Sequence, residues 1–445
     1  LKKIKLEINK DGIKTLEPVE EIFSGNIDSG KKSQKSGGKE DQYEEDSFFE
    51  EYGDEDEESE RDFSYHGIVK NQRKSRIRHR IVTVVLFIIM AIIAILMLLL
   101  LRHYNSYEEV KSYRSKGASS YKYMVFRDAL LKYGNDGAIL TDYNQNVIWN
   151  QGYEMTSPRA SVNGSYLIIY DKKNSRIYLF DRTGEISEIR TNLPVNIAAV
   201  SSKGTVCAVM QDELKFRLEV YNKKGETLAS GELHMEKSGY PSDIAISSDG
   251  KTMVVSTIGY SDGQVLSRLF FYNFGSRGKN SIDNIVAKYE YKDEVIPDIY
   301  INSSGRVAAI MNDRIVIYDN AREKNILKPE NSIKSVFYND SYIGFTDISN
   351  KNGKASKVVK LYSYLGFKRY EKDISMDYRT IKLMPDNDLV LTDGHNIEML
   401  NIIGIRKLKY TDRSEIFDFI PVKDGKNYLV VRSDSVEEVK LTNNQ

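Results

Sequence analysis

The longest apolar run is IVTVVLFIIMAIIAILMLLLL at 81–101, in which Thr83 is the one polar residue and neither a charge nor a proline occurs. About 21 residues at 1.5 Å each make roughly 30 Å of helix, the thickness of a bilayer's hydrocarbon. A helix buried in a globular core would carry polar positions along one face, so the pattern predicts a single transmembrane helix over 81–101. The run begins about eighty residues into the chain and leaves through four leucines into Arg102. That is the pattern of a retained anchor, not a cleaved leader.

Beyond residue 121 the pattern becomes short alternating strands separated by turn residues, with no stretch of long amphipathic helix. One strand type recurs, closing on an aromatic or large apolar residue and then a turn. It reads IYLFD at 177–181, LEVYN at 218–222, LFFYN at 269–273, IVIYD at 315–319, VKLYS at 359–363 and IEMLN at 397–401, with weaker copies at 138–142 and 436–441. The mean spacing is roughly 43 residues, the period of propeller blades. A second landmark keeps the same phase, a turn ahead of each copy: Asn163-Gly164, Ser202 to Gly204, Ser248 to Gly250, Ser303 to Gly305, Asn339-Asp340, Asp386-Asn387 and Asp424-Gly425.

One four-stranded sheet cannot cover both its faces, whereas radial packing sandwiches each sheet between two neighbours. The expectation is an all-β fold, an eight-bladed or alternatively seven-bladed β-propeller of four-stranded antiparallel blades over 122–445. The last repeat ends after its third strand, and Tyr121 to Phe126 is expected to supply the missing outer strand. Blade four is the longest, through 258–267 and 275–285. These two insertions are the first suspects for contact with a partner.

Charge divides the region before the helix. Residues 1–69 lack sustained apolar periodicity and run into an acidic stretch from Glu40 to Asp62, a composition that predicts a disordered tail. Within it Tyr43, Phe48, Phe49 and Tyr52 stand among carboxylates, a pattern open to a cytoplasmic protein partner. Residues 70–80 carry Lys70, Arg73, Lys74, Arg76, Arg78 and Arg80, a basic juxtamembrane block suited to anionic lipid. The other flank mixes Arg102 and Lys111 with Glu108 and Glu109. The positive-inside rule therefore puts the tail in the cytoplasm, a polar stem at 102–121 outside, and the propeller beyond it, on the outer side of the cell membrane.

The chain has 64 basic and 64 acidic residues, which gives no bias toward nucleic acid. Cys207 is the only cysteine, so no intrachain disulfide and no thiolate metal cluster can form. An outer domain without disulfides and rich in Lys, Ile, Asn and Tyr fits a bacterial source. Leu1 in place of methionine points to an alternative start codon or a truncated sequence.

The segment 141–149 (TDYNQNVIW) is similar to the Asp-x-x-Gly-x-x-x-Trp signature of quinoprotein-like propellers, with Asp142 and Trp149 at the signature's spacing but no glycine at its fourth position. With the repeat spacing and the anchor, residues 122–441 resemble an uncharacterised family of bacterial single-pass membrane-anchored propellers. The resemblance implies that Trp149 packs between blades and that no cofactor need be present. Quinone chemistry is disfavoured, because one cysteine excludes the disulfide beside the quinone and the tryptophan signature occurs once.

Other chemistry is sparse. His66, His79, His103, His234 and His395 are scattered, with no pair at zinc-ligand spacing. Asp386 and Asp388 flank Asn387 in a turn that lacks the glycine and distal glutamate of a calcium loop. There is neither a Gly-x-Ser-x-Gly elbow nor a Walker loop. Asn163, Asn302 and Asn339 head glycosylation sequons but read as turn asparagines. No catalytic, metal or cofactor residue is assigned. The expected role is a binding or scaffolding module for a protein or cell-wall partner. The alternatives are a receptor signalling through the acidic tail and a surface hydrolase or lyase.

Overall fold

A computed structural model describes residues 80–98, 101–115, 117–213, 215–261, 263–351, 354–422 and 427–443. The acidic tail at 1–69, most of the basic block, His66, His79 and the Asp424-Gly425 turn lie outside the described residues. Helix α1 spans Arg80–Leu98 and is long and apolar enough to cross a membrane. The Leu101 N–H still bonds the Met97 carbonyl.

The remainder is an eight-bladed propeller, each blade a four-stranded antiparallel sheet. Blades one to seven run in chain order over 122–152, 158–190, 195–234, 240–292, 298–327, 335–373 and 380–411. Every recurring strand read from the sequence is the third strand of its blade, and every described turn landmark joins a first strand to a second. First strands touch between blades two and three, three and four, four and five, six and seven, and eight and one.

The outer strand of blade eight corrects the sequence expectation. Ser106–Arg114, inside the segment read as stem, pairs with Ser435–Thr442 from Ser106 opposite Thr442 to Arg114 opposite Ser435. Lys122–Phe126, expected to close the ring, is instead the first strand of blade one. The propeller therefore begins at Ser106, and the boundary at residue 122 falls away. An edge strand buries one face only, so its outward Glu108, Glu109 and Lys111 gave it the composition of a linker. His103 and Tyr104 are tied to blade seven as well: the Tyr104 N–H donates to the Lys407 carbonyl at 2.7 Å, and His103 Nδ1 lies 3.3 Å from the Arg406 carbonyl.

The core is divided among the gaps between blades. Ile177 and Leu179 face blade three, while Tyr178 and Phe180 face blade one. Both faces of the sheet are dry, so the third strand reads as a continuous apolar run. The pattern repeats around the ring to the last gap, where Leu130 of blade one meets Ile420 and Leu429 of blade eight. At roughly 25 cal/mol per Å² of apolar surface, these eight layers supply the stabilisation that disulfides would give a smaller domain.

Candidate binding surface

Strand direction alternates within a blade, so the turns joining strands one to two and three to four lie on one face, here the turn face. The turns joining strands two to three, with the links between blades, lie on the other, here the hairpin face. On the hairpin face two blades stand out. In blade four Thr252–Ser261 pairs with Gln264–Asn273 over ten residues, and in blade six Tyr342–Lys351 pairs with Lys354–Ser363 over ten. The insertion at 258–267 is thus a regular hairpin, with Tyr260 exposed near its tip. The insertion at 275–285 joins the third and fourth strands of blade four, on the turn face. The two suspects do not form one site.

The blade-six hairpin was missed by sequence reading, although Asn352-Gly353 is a strong hairpin-turn signal. Its polar strands hid it. Lys360 Nζ donates to Asp347 Oδ2 at 3.2 Å and to Glu330 Oε1 at 3.0 Å, and Ser349 Oγ donates to Glu330 Oε2 at 2.6 Å. Backbone N–H groups of Glu330 and Ile348 also donate to Asp347. Burial opposes ionisation of Asp347, but these donors outweigh it and hold the carboxyl below its ordinary range. The network ties the link from blade five to the base of the hairpin.

The blade-four hairpin is braced differently. Helix α2, Met235–Ser238, lies against it, and Thr257 Oγ1 donates to the Ser238 carbonyl. Gly239 has φ near +87°, and a Cβ there would stand 2.6 Å from the Ile258 carbonyl oxygen, so the close approach requires glycine. Ser242 Oγ lies 2.7 Å from Ser256 Oγ, and Arg268 Nε donates to Glu290 at 3.1 Å.

Between these hairpins, first strands bring together two carboxyls. The Asp243 Oδ2 accepts from the Ile299 N–H at 2.7 Å, and Tyr338 donates to Asp298 Oδ2 at 3.0 Å. Desolvation, and then the charge of Asp298, push Asp243 up to about 7; burial raises Asp298 as well. Each carboxyl therefore keeps its proton to higher pH than an exposed aspartate does.

The deciding comparison concerns the whole ring. A family described as of unknown function, DUF5711, matches residues 100–441 and so takes in all eight blades together with the closing strand. The chain belongs to DUF5711. No curated protein matches the sequence. The DUF5711 propeller is similar in fold to BamB from Moraxella catarrhalis, at 13% identity over 76% of this chain and 100% of that one, with a TM-score of 0.46. It is similar also to the Neurospora crassa Pan2 WD40 domain, at 11% identity over 65% and 89%, with a TM-score of 0.39. Kuenenia stuttgartiensis hydrazine synthase matches at 13% identity over 74% and 96%, with a TM-score of 0.39.

Residues singled out in the sequence mostly serve this DUF5711 ring. Trp149 stacks on Phe180 of the next blade, with centroids 4.8 Å apart and an interplanar angle of 8°. Asp388 is held by Lys407, which also donates to the Tyr428 hydroxyl at 2.9 Å; burial, with Asp386 nearby, pushes Asp388 up to about 6. That carboxylate already has a cation. Cys207 is fully buried, and burial pushes its thiol up to about 12. The asparagines join successive turns: Asn302 Nδ2 donates to the Asp340 carbonyl at 3.3 Å, and Asn339 Nδ2 to the Met384 carbonyl at 2.8 Å. Among the described residues no group of three or more His, Cys, Asp or Glu side chains stands at metal-binding distance. On the turn face a groove of about 410 Å³ with a mixed lining runs between blades three and five, and Arg277 of the second insertion crosses to Asn320 at 3.1 Å.

Proposed function

We propose that this chain is a membrane-anchored scaffold whose propeller presents the blade-four and blade-six hairpins to a protein or cell-wall partner. The observation that carries this reading is that two of eight blades extend their hairpins on the same face, each fixed by its own buried polar contacts. Chain that only closes a ring needs no such extension. An ordered projection loses little entropy on binding, which suits it to recognition.

In this reading α1 spans the bilayer, the basic block and acidic tail are cytoplasmic, and the propeller stands outside. The apolar run, its length and its flanking charges support that topology. Proximity labelling in the source cell, with the labelling enzyme fused after Gln445, tests it. The intact chain is expected to label a defined set of envelope proteins, which is lost when 258–267 and 349–356 are each replaced by a two-residue turn. An unchanged set with both hairpins trimmed sinks the scaffold reading. Labelling of cytoplasmic proteins from that terminus sinks the topology.

A further inference from the structure

The turn face differs from the hairpin face in its exposed apolar side chains. Among the described residues of the propeller, Ile282, Leu365, Phe367 and Ile403 are exposed at connections between third and fourth strands, in blades four, six and seven, and Val147 is exposed as the first residue of the fourth strand of blade one. Ile186 and Leu228 are exposed within the first three residues of fourth strands in blades two and three. The hairpin face has Tyr240, Tyr260 and Phe417, with Ile326 near the same face at the end of the fourth strand of blade five, and Val110 lies midway along the closing strand. Single exposed apolar residues are ordinary on any protein. Here they recur at the same turn around the ring, with Ile282 at 86% and Phe367 at 69% exposure.

The chain enters the propeller on this same face. Ser106 pairs with Thr442, at the end of the third strand of blade eight, and Tyr104 is bonded just past the turn that holds Ile403. Only residues 99–102 separate Leu98 from the anchored His103. Fully extended, that connection reaches roughly 18 Å. If Leu99 to Leu101 complete the membrane span, Arg102 stands at headgroup level and the rim of the turn face at blades seven and eight, where the chain enters, can rise only a few ångströms above it.

We infer that the turn face rests on the bilayer that holds α1, with the apolar tips of its strand-three-to-four turns inserted at the lipid interface. The inference rests on the anchor reading of α1. The shape of the contact favours a lipid surface over a protein ligand: tips distributed around a ring touch a plane, whereas a peptide or globular partner needs them gathered in a cleft or patch. The exposed Lys224, Lys279 and Arg369 stand among the tips and suit the headgroup layer, but Glu185, Glu226 and Asp283 are exposed beside the same tips, so the apolar side chains and not net charge carry the contact. Resting on that face also turns the long hairpins away from the membrane, where a partner can reach them.

The test uses the full chain reconstituted in vesicles of equal parts phosphatidylcholine and phosphatidylglycerol. Ile282→Cys, Phe367→Cys and Tyr260→Cys are made singly and labelled with an environment-sensitive fluorophore; native Cys207 is buried and stays unlabelled. Expected are blue-shifted emission at 282 and 367, quenching there by lipid-borne nitroxide, and water-like emission at 260. Vesicle flotation is run in parallel. If the protein floats but all three labels report water, the docked face is refuted while the anchor stands. A blue shift that lipid-borne nitroxide does not quench means another surface, such as a second copy, covers the face, and also refutes it. If the protein does not float, the anchor reading fails and the inference fails with it.

Discussion

Lys360 places its Nζ 3.2 Å from Asp347, a carboxylate whose side chain has no solvent exposure, and thereby closes the base of the blade-six hairpin. Replacing the lysine alone leaves a buried charge without its cation. Lys360→Met should therefore cost about 3 kcal/mol in urea denaturation, with earlier proteolysis within the hairpin. Pairing it with Asp347→Asn removes the orphan charge while keeping an oxygen for the backbone N–H donors, and should recover much of the loss. Equal stability of the single variant and wild type would show that the pair does not brace the hairpin.

The closing strand gives a second prediction. Tyr107 donates to Asp412, its ring lies 4.6 Å from that of Tyr410, and Arg432 Nη2 meets the same Asp412 at 2.9 Å. A chain beginning at His103 keeps the Tyr104 contacts to blade seven and should keep the melting temperature of the propeller. A chain beginning at Gly117 should lose it by several degrees, at roughly 2 °C per kcal/mol for a domain this large. Scanning calorimetry on both separates them, and matching transitions would mean that the strand is dispensable.

These two cases show what the sequence carried and what it hid. The third strands were legible because both of their faces are buried, so that Leu269 to Tyr272 and Ile315 to Tyr318 stand out as apolar runs. The interlocked turns were legible because Asn302 and Asn339 are turn formers at a fixed phase. Ser106–Arg114 was not, since an edge strand alternates only weakly and carries outward charges. Nor was the carboxyl pair, because Asp243 and Asp298 belong to different blades and meet only when the ring closes. The resemblance to quinoprotein-like propellers did place Trp149 correctly between blades.

That tryptophan yields a third prediction. Trp149 lies in the layer with Leu140, Leu167 and Phe180. Trp149→Ala should cost about 3 kcal/mol, the cavity and the lost ring contact together. Trp149→Phe keeps a stacked ring and should cost less than half as much. If both variants unfold at the same denaturant concentration as wild type, the gap between blades one and two does not depend on this contact.

The carboxyl pair links stability to pH, with a sign opposite to that of most surface carboxylates. In the unfolded chain an aspartate releases its proton near pH 4, whereas burial and Asp298 hold Asp243 up to about 7 in the folded state. Between these values the folded protein binds a proton that the unfolded chain has lost. Asp243 therefore makes stability fall as pH rises through this window, by at most about 1.4 kcal/mol per pH unit from this one group, and its contribution levels off above it. Asp243→Asn removes the ionisation while keeping an oxygen that accepts from the Ile299 N–H. Unfolding free energies measured at pH 5 and pH 7 should differ less in the variant than in wild type, with the variant relatively more stable at pH 7. Parallel pH profiles would show that burial does not raise the titration of Asp243 in the folded protein.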